Sequence, residues 1–212
     1  FPRQLAAPFG FVVLALILAL VHGEAESGVS ISMHYNRWAW AAAYLAIPAA
    51  LFVPQYARNS VFDGIIIGLM LSVMAMIKVT YFVAFAPVIV IALLLTGQVR
   101  AFGVAILTGL GIVAILTAWL GIGFWWAYVA DLQTVAGSEN RSAPGLPLNS
   151  ILSAPAYLGG SIAAIAGVIF LRRAGANIAG LILLLLIPGF IYVTYQNFGN
   201  DPQWLLLMAF IL

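Results

Sequence analysis

Cysteine is absent from the 212 residues, so no disulfide staples the chain and no thiolate can hold a metal or act as a nucleophile. That absence leaves the redox compartment undecided. Charge is scarce as well: only 7% of the residues are charged, against about 25% in a soluble domain, whose surface must face water. A soluble surface of this size cannot be covered by so few charges. The net charge of +2 rests on dispersed basic residues, adjacent only at Arg172-Arg173, and without a patch to neutralise phosphates a nucleic-acid partner is excluded. There is no Walker loop, Rossmann fingerprint, Ser-His-Asp set, CxxC pair or haem motif. His34 has no second histidine at ligand spacing, so no metal site is expected. No regular array of charges runs through the apolar segments, as a voltage sensor or proton pump would require.

What is present is apolar. Hydrophobic residues make up 65% of the chain and the mean hydropathy is +1.13, so lipid must solvate most of the exterior. The length allows about seven or eight spans of roughly 20 residues joined by short loops. The expected fold is therefore all-α: a polytopic transmembrane helical bundle forming one domain over residues 1–212. The chain opens on Phe1 rather than Met, and its final apolar run from Trp204 stops at Leu212, about half the length of a span. Both ends are expected to be cuts in a longer chain.

Spans are expected near residues 5–21, 37–53, 63–77, 82–95, 102–119, 151–171 and 178–195, with an incomplete one from Trp204. Trp38, Trp40 and Tyr44, and again Phe124 to Tyr128, mark membrane interfaces, where aromatic rings settle at headgroup level. Residues 131–150 are too polar to span and form the longest extramembrane segment. Residues 63–95 are too long an apolar stretch for one ordinary span and short for two. Interrupted by Lys78 and Pro87, they read as a tight hairpin or two partial spans meeting near Lys78, with a single tilted helix as the alternative. Gly64 with Gly68, and Gly160 with Ala164, stand at helical spacing and let helices approach closely, as packing within one bundle rather than as a dimer motif.

If the N-terminus lies on the cytoplasmic side, the inner loops hold Arg3, Arg58, Arg100, Arg172 and Arg173, and the outer ones Arg37, Lys78 and Arg141. The basic excess inside favours that orientation. The acids Glu24, Glu26, Asp131, Glu139 and Asp201 then fall outside and only Asp63 inside. This sidedness is read in two ways, as chemistry on the outer face or as acids that merely keep loops wet.

Lys78 is the first candidate for binding. An ammonium at a membrane boundary must reach headgroups, water or an acid; it either grips an anionic group such as a lipid phosphate or snorkels at a span end. Arg37 stands just before a span, where its planar fork suits a phosphate, beside His34, Tyr35 and Asn36. The same stretch would also serve as a plain interfacial anchor. Glu24, Glu26 and Asp131 are the carboxylates available as a general base toward a hydroxyl, and Arg141 shares the long outer segment with Asp131. Asn140-Arg-Ser142 fits a glycosylation acceptor, a chance match in a chain of bacterial style.

The glycine-bearing span Gly64 to Gly68, the Lys78-Val-Thr-Tyr81 boundary, the proline-bearing span with Pro87 and the basic turn Gln98-Val-Arg100 together resemble the GT-C superfamily. These are polytopic bacterial glycosyltransferases that use polyprenyl-phosphate sugars, and the mannosyl- and arabinofuranosyl-transferase-like members are nearest in character. The resemblance covers roughly residues 37–150. It implies transfer of a sugar from a lipid phosphate carrier on the non-cytoplasmic face of a bacterial inner membrane. In such proteins an early outer loop supplies the catalytic acid; Glu24, Glu26 and Asp131 stand in for it here. Lys78, with Tyr81 in the same boundary motif, matches the family's outer cation, and Arg37, His34 and Arg141 join it as substrate-binding candidates. No cofactor is implied beyond the polyprenyl-phosphate sugar donor. The other expectations are a transporter with broken spans near Lys78 and Pro87, and a non-catalytic subunit among other membrane subunits.

Overall fold

A computed structural model describes residues 3–18, 31–52, 59–137, 148–197 and 203–212. Ten α-helices occupy them, and no strand occurs among the described residues: α1 (Arg3–Leu18), α2 (Ile31–Leu51), α3 (Ser60–Ile77), α4 (Val79–Leu95), α5 (Val99–Leu120), α6 (Gly123–Ala136), α7 (Leu148–Ser153), α8 (Pro155–Arg173), α9 (Asn177–Gln196) and α10 (Gln203–Ile211). Four of them, α3, α5, α8 and α9, are long and apolar enough to cross a membrane. Helices α1 and α4 are apolar but shorter. Helix α2 has the length, yet His34, Asn36 and Arg37 make its first half polar. Helix α10 has 9 residues. The outer face of the bundle is apolar, with Trp119 79% and Phe11 73% exposed. Such a surface is compatible with lipid and with a multi-pass membrane protein.

Helix α2 forms the centre. Its Ala-rich stretch buries Ala39, Ala41, Ala42, Ala43, Ala46 and Ala50, small side chains that allow α1, α3 and α4 to close around it. Helix α9 packs on α4, α8 on α9, and α5 on α3. The expected hairpin at Lys78 is what forms. Gly64 of α3 lies against Ala101 of α5, and Gly68 against Ala105, so α3 and α5 run parallel. The turn after α4 returns the chain to the start of α5, so α4 runs antiparallel between them. That turn is a Schellman closure: the Gln98 N–H donates to the Leu93 carbonyl and the Gly97 N–H to Leu94. Gly97 takes φ 69°, which a side chain would disfavour.

The bundle therefore has two distinct ends. One carries Asn36, the Lys78 joint and Asn197; the other carries Asp63, the buried Gln98 and the exposed Arg172 and Arg173. Gln98 ties that second end together by donating from Nε2 to the Ala50 carbonyl at 2.9 Å.

Residues 131–150, expected as a loop, are helical at both described edges: 131–136 belong to α6 and 148–150 to α7. The aromatic cluster explains the α6 edge. Trp125 donates from Nε1 to Thr117 Oγ1 at 2.7 Å, and the Tyr128 hydroxyl donates to the Ala75 carbonyl at 2.5 Å. Ala75 lies in the last turn of α3, whose carbonyls have no partner within the helix. Tyr128→Phe is expected to cost about 1 kcal/mol and to loosen α6 first, seen as faster proteolysis at α6 with a small fall in the unfolding midpoint.

Candidate functional site

Lys78 interrupts the helix ladder. Its φ of −154° and ψ of 93° are extended, its N–H closes α3 on Met74, and its carbonyl accepts from the Tyr81 N–H to open α4. The break places a long cationic side chain where α2, α4 and α9 converge. Its Nζ donates to Asn36 Oδ1 and to Asn197 Oδ1, the latter at 2.5 Å. The Tyr35 ring lies below the ammonium with its centroid at 5.0 Å, near enough for a cation–π contribution.

Asn197 extends the chain of contacts. Its Oδ1 accepts from Lys78 and its Nδ2 donates to the Tyr81 hydroxyl at 3.0 Å. Beneath, the floor is buried and aromatic: Tyr81 meets Trp40 edge-on at 5.3 Å, Trp40 leans on Phe85 and Phe190, and Phe190 stacks on Trp204 at 5.4 Å. Tyr81, Phe85 and Phe190 have no exposed surface. Lys78 itself is only half-buried, so the cluster is a polar cap on an apolar plug. Chemically it presents one ammonium, two amide groups and a phenol, an arrangement able to take an anion.

Of the residues singled out in the sequence, the structure brings Lys78 and Tyr81 together. Arg37 is half-buried on α2, in the turn that carries Asn36, and His34 lies one turn earlier, tilted against Trp38 at 6.2 Å. Asp131 is exposed on α6, a helix with no buried residue. Glu24, Glu26 and Arg141 lie outside the described residues. No group of three or more metal-ligating side chains occurs among the described residues.

Sequence reasoning missed Asn197. It stands just past the span expected at residues 178–195, 119 residues from Lys78. The available signal was its side: the segment after residue 195 falls on the same face as Lys78 when the spans are counted alternately, and an amide at the end of an apolar helix needs a partner.

No protein-family model, no curated protein and no solved structure matches this chain.

Proposed function

We propose that this chain is a membrane glycosyltransferase-like protein that receives a sugar from a polyprenyl-phosphate carrier at the bundle end bearing Lys78. The observation that carries the reading is the Lys78 ammonium, set at a helix break, half-buried and surrounded by Tyr35, Asn36, Tyr81 and Asn197. An ammonium at the end of an apolar helix is a partner for a lipid phosphate whose prenyl chain stays in the bilayer. In the reaction the acceptor's hydroxyl oxygen bonds to the sugar's anomeric carbon. The bond from that carbon to the carrier phosphate breaks, and a carboxylate takes the hydroxyl proton. Lys78 neutralises the departing phosphate, with Arg37 as a second cation on the same end. Asp131, Glu24 and Glu26 are the carboxylates offered for the proton. The resemblance noted in the sequence supports this chemistry, as does the sided distribution of acids.

Sugar transfer from a prenyl-phosphate donor to an acceptor tests it. Lys78→Ala is expected to slow transfer by about 100-fold or more, the scale of losing one preorganised charge partner, and Asp131→Asn to slow it if that carboxylate is the base. If both variants transfer at the wild-type rate, the reading fails.

The orientation belongs to the same proposal: a seven- or eight-span bundle in a bacterial inner membrane, N-terminus on the cytoplasmic side. Helix α9 has 20 residues, about 30 Å, so its two ends are expected on opposite faces. The cysteine-free chain makes this directly readable. In sealed inside-out vesicles, Asn177→Cys is expected to react with an impermeant maleimide and Gln196→Cys to stay protected. The reverse pattern inverts the topology, and labelling of both removes the span.

A second reading, a non-catalytic subunit of a membrane complex, is favoured by α5. Only Ala101 and Ala105 of its 22 residues are buried, and its second half, including Leu110, Ile115 and Trp119, is open to lipid or a partner. The transporter expectation is weakened by the break itself. Lys78 lies between the end of α3 and the start of an antiparallel α4, at the bundle's end rather than at a midplane discontinuity.

A further inference from the structure

Three segments distant in sequence end on one ammonium. Lys78 belongs to the α3–α4 joint, Asn36 to the second turn of α2, and Asn197 caps the C-terminus of α9. The two contacts span 42 and 119 residues. The group assigned above to a phosphate is thus already tying helix ends together. An ammonium has three N–H donors, and a phosphate oxygen is a stronger acceptor for them than an amide oxygen. Donors turned toward a phosphate leave Asn36 and Asn197.

Below this point the same helices meet through rings. Trp40 of α2 and Phe190 of α9 lie 6.4 Å apart, an apolar contact that an anion does not disturb. Loosening would therefore be confined to the end of the bundle. Asn197 also keeps an alternative partner on release, since its Nδ2 is already on Tyr81.

We infer that Lys78 is a ligand-released latch: its bonds to Asn36 and Asn197 hold this end of the bundle shut, and an anionic prenyl phosphate draws the ammonium away and lets the second turn of α2 and the last turn of α9 part. The inference rests on the reading that a lipid phosphate comes to Lys78.

The test is hydrogen exchange on the full chain in detergent micelles, with farnesyl phosphate as probe and farnesol as control. Farnesyl phosphate is expected to speed amide exchange of residues 35–38 and 193–197 by roughly tenfold, the mark of a local opening, and farnesol to leave it unchanged. Asn36→Ala and Asn197→Ala are expected to show fast exchange without any lipid. Both remove an acceptor while leaving the cation, which keeps the test readable even if a Lys78 variant does not fold. Binding is measured separately by equilibrium dialysis of labelled farnesyl phosphate. If it binds more tightly than farnesol and exchange at both ends stays slow, the latch is overturned and the phosphate site stands. If it binds no better than farnesol, latch and phosphate site fall together.

Discussion

Lys78→Met is expected to lower the stability of the bundle by roughly 2–4 kcal/mol, read as a fall in the midpoint of thermal unfolding in detergent. Methionine keeps the length and apolar stem of lysine and removes its charge and donors. Two hydrogen bonds from a charged donor disappear, each worth about 1.5–3 kcal/mol when well formed; the half-exposed position of Lys78 discounts that sum. The amide oxygens of Asn36 and Asn197 are left without this donor, and the Tyr35 ring loses its cation.

The same variant separates the two readings of Lys78 made from the sequence. A lysine that only snorkels to the headgroups contributes little, and its loss would stay within about 0.5 kcal/mol, as for most surface changes. Lys78→Arg sharpens the comparison. It keeps the charge, but a planar fork cannot reproduce the compact ammonium geometry between two asparagines, so an intermediate loss is expected. A methionine variant as stable as the wild type would reduce the Lys78 cluster to coincidence.

Much of the helical order was legible because lipid imposes a simple pattern. The break at Lys78 was readable from an apolar run too long for one span and interrupted by a cation, and helices α3 and α4 meet there. The span count was less readable. Helix α2 begins at Ile31, before the polar Tyr35-Asn36-Arg37 stretch taken as its leading edge, because a bundle interior supplies polar partners that lipid does not. Helices α6 and α7 enter a segment expected as loop, since Tyr128 and Trp125 anchor α6 through hydrogen bonds that no hydropathy pattern records. In the candidate site, Lys78 and Tyr81 are near in sequence, and the first turn of α4 joins them through the Tyr81 N–H on the Lys78 carbonyl. Asn197 was hidden for a different reason: periodicity says which face of a helix is apolar, not which helix ends are neighbours.

The parallel packing of α3 on α5 leads to an opposed pair of outcomes. Gly68→Ala and Gly103→Ala are the same chemical change, each giving a helix a better helix former, worth about 1 kcal/mol in a helix interior. At Gly103 of α5 a new Cβ meets nothing within 4 Å, so that gain is expected to appear as a slightly higher unfolding midpoint. At Gly68 the Cβ would lie 2.5 Å from the Ala105 carbonyl oxygen and 2.8 Å from Thr108 Cβ. The nearest atom is backbone and cannot swing aside, so α3 and α5 must part, at a cost of about 1–3 kcal/mol and more for Gly68→Val. Gly64 makes the equivalent contact with the Ala101 carbonyl, also at 2.5 Å, and substitution there is expected to fall on the same side. Gly68 also lines the cleft of about 310 Å³ between α3, α4 and α5, where it stands with Ala105 and Gly109 opposite Phe82, Ala86 and Val90. Parting α3 from α5 would shift the end of α3 that positions Lys78, so lipid-phosphate binding is expected to weaken together with stability in Gly68→Val. Because both partners belong to one chain, the mass of the detergent-solubilised particle should not change. A variant that keeps its unfolding midpoint but dissociates into smaller particles would instead place Gly64 and Gly68 between two copies of the chain.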